Sequence, residues 1–64
     1  MGYLIPMEGE EWTSKDDETD VIRIESYDFA YAVAFSLKLN QQILVAASHF
    51  GPTYTRTKLG THEG

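Results

Sequence analysis

The sequence predicts an α+β domain, a small antiparallel sheet of about four strands packed against one helix in ββαββ order. Three observations lead there. "VIRIES" at 21–26 and "QQILVAASHF" at 41–50 carry strand patterns. Between them, "SYDFAYAVAFSLKLN" at 26–40 is rich in alanine and leucine, with Val33 its one β-branched residue, a composition that favours helix. Length decides the rest. Residues 27–39 as one strand would run about 43 Å, whereas a domain of this size is about 28 Å across. A 14-residue helix of about 21 Å fits. The alternative is an all-β meander or small barrel, with the same segment bent into a strand pair.

The 64 residues make one domain. A chain this short buries only about 60% of the surface it exposes unfolded, so its core needs very regular packing or a partner. With no cysteine, disulfides and thiolate metal sites are excluded. No run of about 18 apolar residues occurs, and the opening "MGYLIPMEGEEW" has neither the basic nor the apolar region of a secretion signal. A cytoplasmic protein is expected.

Taken in order, "GYLIPM" allows an edge strand interrupted by Pro6. Residues 8–20, "EGEEWTSKDDETD", have the composition of a solvated acidic loop, in which Trp12 is out of place. In the next strand Ile22 and Ile24 share one face, with Val21, Arg23 and Glu25 on the other. In the expected helix Ser26 or Asp28 serves as N-cap and Asn40 as a left-handed terminator. One helical side carries Ala30, Val33, Ala34 and Leu37. The opposite side carries Tyr27, Tyr31, Phe35 and Leu39 at i, i+4 spacing, a stripe that needs a cover. "QQILVA" is apolar on both faces from Ile43, as a central strand would be. Gly51-Pro52 is a turn, and "TYTRTKL" is an edge strand guarded by cations. Residues 60–64 form a tail.

Catalytic and metal chemistry find little support. His49 and His62 match no zinc-ligand spacing. "DDETD" lacks the order of a calcium loop. Ser48 and His49, adjacent on a strand, would point to opposite faces. The expectation is a non-enzymatic protein with no cofactor and no metal.

Charge supplies the functional lead. The net charge is −5, and residues 8–20 hold seven acids against Lys15. Direct nucleic-acid binding needs a basic face and is disfavoured; a basic protein surface is the natural counterpart. The candidate partner-binding residues are Glu8, Glu10, Glu11, Asp16, Asp17, Glu18 and Asp20, with Trp12 as aromatic anchor, joined by Tyr27, Tyr31 and Phe35 of the stripe. Size, acidity and element order are similar, as architecture, to small phage-encoded proteins that bind and inhibit host nucleic-acid enzymes. That likeness implies a non-catalytic inhibitor or modulator occupying a basic site, such as one on a host RNA polymerase, and a place in the host cytoplasm if the protein is phage-encoded. The alternative is a self-associating accessory protein in which the aromatic stripe is a homodimer seam.

Overall fold

The computed structural model describes residues 5–59, which form a five-stranded antiparallel sheet. β1 (Glu11–Ser14), β2 (Val21–Tyr27), β3 (Tyr31–Ser36) and β4 (Gln41–Ala46) follow one another as a meander. A 3-10 turn, Ala47–His49, then leads to β5 (Tyr54–Lys58), which pairs with the far side of β1. The order across the sheet is therefore β4-β3-β2-β1-β5, with β4 and β5 at its edges. The radius of gyration is 10.7 Å.

The expected helix over 27–39 is not formed; the fold is all-β. The length argument was sound against one continuous strand, but two turns shorten the strand instead. At the first, Asp28–Ala30, Asp28 N–H donates to Tyr31 O at 3.0 Å and Phe29 takes φ 56°. At the second, residues 37–40, the buried Ser36 accepts from Leu39 N–H through its hydroxyl and from Asn40 N–H through its carbonyl. Asn40 has the expected left-handed φ, 58°, but it ends a hairpin turn. The unbroken period-two alternation of Tyr31–Ser36 is that of a strand, and its pairing outweighs the local preference of alanine for helix.

The faces of β3 are also reversed from intuition. Ala32, Ala34 and Ser36 point inward and are buried, while Tyr31, Val33 and Phe35 point outward. The reason is volume. Trp12 and Phe50, both fully buried, fill the inner side together with Ile22, Ile24 and Val45. The rings of Trp12 and Phe50 meet edge to face at 5.1 Å, a favourable aromatic geometry. Close packing around two large rings leaves room only for small residues on β3. A register shift between Ile24 and Ser26 breaks the β2 alternation, so that Ile24 is buried and Tyr27, three positions later, also packs against the core.

Three further expectations change. Residues 5–7 form no strand, and residues 2–4 of the expected first strand lie outside the described residues, as does the 60–64 tail. The 8–20 segment is not one loop, because Glu11–Ser14 is β1 and only 15–20 connect it to β2. β4 is an edge strand, with Leu44 66% exposed. The cation-bearing edge at 54–58 and the Ile22/Ile24 core face are as expected. The likeness in element order to phage inhibitors rested on the helix and goes with it.

Candidate functional site

β1 divides the acidic stretch in two. At its start, Glu10 is buried and its carboxylate is fully engaged. Oε1 accepts from Met7 N–H at 2.9 Å and from Trp12 Nε1–H at 3.1 Å. Oε2 receives Arg56 Nη1–H at 3.1 Å. Arg56 lies opposite Trp12 in the register, with its guanidinium carbon 5.7 Å from the centre of the indole ring, within cation–π range. This cluster ties the residue 7–10 segment, β1 and β5 together. Trp12 and Glu10 are therefore internal supports and present no contact surface.

At the other end of β1, residues 15–20 form an ordered turn built on Asp17. Its Oδ1 accepts from Thr19 N–H at 3.0 Å and from the Thr19 hydroxyl at 2.7 Å. Its Oδ2 accepts from Lys38 Nζ in the β3–β4 turn. Lys38, with the two Thr19 donors, holds the Asp17 carboxyl well below the ordinary carboxylate range. The same bond raises the Lys38 ammonium above its usual value. Ser14 N–H donates to Asp20 O at 3.0 Å and Lys15 N–H to Thr53 O at 2.9 Å, which fix the base of the turn. Tyr54 hydroxyl reaches Asp20 Oδ2 at 3.3 Å. Burial, then the Asp20 charge and this bond, push the phenol upward.

The remaining candidates scatter. Asp16 and Glu18 are exposed at the tip of the turn, and Glu8 is exposed in the segment before β1. Since β1 spans about 13 Å, Glu8 and the turn belong to opposite ends of the strand. Glu11 sits on the outer face, 3.7 Å from Arg23. Tyr27 stacks edge-on with Phe29 at 5.0 Å and packs against the core. Tyr31, 44% exposed, and the half-buried Phe35 line the outer face of β3, where Val33 lies opposite Leu44 of β4. The structure thus joins Asp16, Asp17, Glu18 and Asp20 in one feature and Tyr31 with Phe35 in another.

His49 is exposed at the end of the 3-10 turn rather than on a strand beside Ser48, and His62 lies outside the described residues. Among the described residues no three His, Asp or Glu side chains are grouped to hold a metal. No helix among them is long and apolar enough to cross a membrane. Sequence patterning missed Arg56 as the partner of Glu10, because the two are 46 positions apart. It also missed Lys38 as the support of Asp17. Comparison of the chain with protein-family models, curated protein sequences and solved structures finds no match.

Proposed function

We propose that the protein is a non-catalytic, cytoplasmic protein-binding module that seats its anionic β1–β2 turn in a basic site of a nucleic-acid-handling enzyme and so modulates or inhibits it. The observation that carries this reading is the Asp17 hub. It ties the backbone of the 15–20 turn to Lys38 and leaves Asp16 and Glu18 exposed. A turn held by its own bonds loses little freedom on docking. Carboxylates displayed on it attract a cationic surface and speed the encounter. Glu8 and Glu11 add to the long-range field, whereas Trp12 and Glu10 contribute only by holding the fold.

The test is capture of partners from a cell lysate on the immobilised protein, with elution by rising salt. The double variant Asp16→Asn/Glu18→Gln runs in parallel. A specific partner should elute steeply between about 0.05 and 0.5 M salt, as screening removes the attraction, and the double variant should retain at most about one-tenth of it. Retention unchanged by the double substitution would defeat the proposal.

A further inference from the structure

The two edges of the sheet are unlike. β5 ends the sheet with Arg56 and Lys58 in its sequence, the cations that commonly discourage further strand pairing. β4, "QQILVA", has no such guard, and the chain carries no ionisable side chain from Leu39 to Ser48. Its outer face exposes Leu44, which lies opposite the half-buried Val33 beside Tyr31. An edge strand that is neutral, apolar and bare of proline offers unpaired N–H and C=O groups to another strand.

We propose that β4 pairs antiparallel with β4 of a second copy, joining two five-stranded sheets into one across a two-fold axis. The sequence of β4 argues for a second copy as the occupant: it is apolar to either side of Leu44, so it can face itself across a two-fold axis. Each chain carries −5 overall, and like-charged surfaces repel, but the strand itself is uncharged, and the one carboxylate bonded to it, that of Glu25, accepts from Gln42 Nε2–H at 2.8 Å. Parity argues for one register. Opposed residues in an antiparallel pair share a face, so a two-fold axis must relate residues of the same orientation. Centring on Leu44 sets Leu44 against Leu44, Ile43 against Val45 and Gln42 against Ala46. Apolar side chains then meet on both faces, whereas centring on Ile43 would oppose Gln42 to Leu44. The turn holding Lys38 precedes β4, and Ala47 N–H donates to Ala30 O, which puts the Asp28–Ala30 turn beside its far end. Two-fold pairing therefore brings the Lys38 end of one copy to the Asp28 end of the other. The 15–20 turn, on the β1–β2 connection, lies outside this seam, although Lys38, which supports it through Asp17, belongs to the turn that precedes β4.

A six-residue edge is about 20 Å long, so the contact is small and the dimer weak, with a dissociation constant of about 1 μM or higher. Sedimentation equilibrium of the full chain from about 10 μM to 1 mM tests it. The mass should rise from 7.2 kDa toward twice that value. Leu44→Lys, at an exposed outer position, should hold the mass at the monomer value, while Trp12 fluorescence confirms that the variant is folded. Thr55→Lys on the β5 edge and Asp16→Asn/Glu18→Gln should leave the association intact. Amide exchange in β4 should slow as concentration rises. A monomer throughout the range, a dimer unaffected by Leu44→Lys, or exchange slowing confined to other strands would each overturn the proposal.

Discussion

The two ends of β1 carry the same residue type to opposite purposes. At its start, Glu10 is withdrawn from water and held by an indole N–H, a backbone N–H and a guanidinium. Beyond its end, Asp16 and Glu18 stand in solvent on a turn whose own centre, Asp17, is neutralised by Lys38. Composition alone treats these acids as one field. Burial separates them: a buried carboxylate persists only with its bonds satisfied and its charge matched, while an exposed one costs little and acts at a distance. The strand between them is the dividing line.

The comparison breaks most completely at Trp12, the side chain against which the Glu10 end is built. Trp12→Ala should cost about 3–5 kcal/mol, as for other large buried aromatics. A 64-residue domain has about 3–10 kcal/mol in total, so the variant should lose about a third or more of its stability, read as a large fall in the urea midpoint. A folded variant with an unchanged urea midpoint would remove the Glu10–Trp12–Arg56 cluster from the centre of the fold. Arg56→Ala is the finer probe. It leaves the Glu10 carboxylate buried without its cation, but Arg56 is itself 39% exposed, so solvent already screens part of the pair. The expected loss is about 1–3 kcal/mol, read from urea denaturation, against little or none for Lys58→Ala on the same strand.

Particular residues show how far the fold was legible. Ile22 and Ile24 declared their face because the alternation of β2 is clean up to the register shift, and the cations of β5 marked an edge. The segment 26–40 was misread because alanine speaks for helix locally, while its burial on β3 is decided by Trp12 and Phe50 far away in sequence. The signal that could have corrected it was the strict alternation from Tyr31 to Ser36 with a turn on either side. Trp12 looked out of place in an acidic loop, and that oddity was the clue: an indole between acids belongs to a strand whose other face is solvated. The acidic turn was legible as charge, but its ordering was not, since Lys38 reaches Asp17 across 21 positions.

The smallest effect, and the sharpest test of the exposed end, concerns Asp17. Its folded-state carboxyl is held below the ordinary value of 3.8. The stabilisation it supplies is therefore present above that pH and is lost as pH falls through the folded-state value. Lys38 is raised above its ordinary 10.5, so the same ion pair is complete below that pH and is lost as pH rises through the folded-state value. Asp17→Asn retains an acceptor for Thr19 and removes only the charge that Lys38 meets. The wild type and this variant should differ in urea midpoint by a constant amount from about pH 5 to pH 9, with the gap closing toward acid and toward strong alkali. Added salt should narrow it, as it does for exposed pairs. Arg56→Ala should keep most of its deficit in high salt, because water reaches Glu10 far less. If salt erased both deficits equally, the buried and exposed ends of β1 would be electrostatically alike, and the division drawn between them would fail.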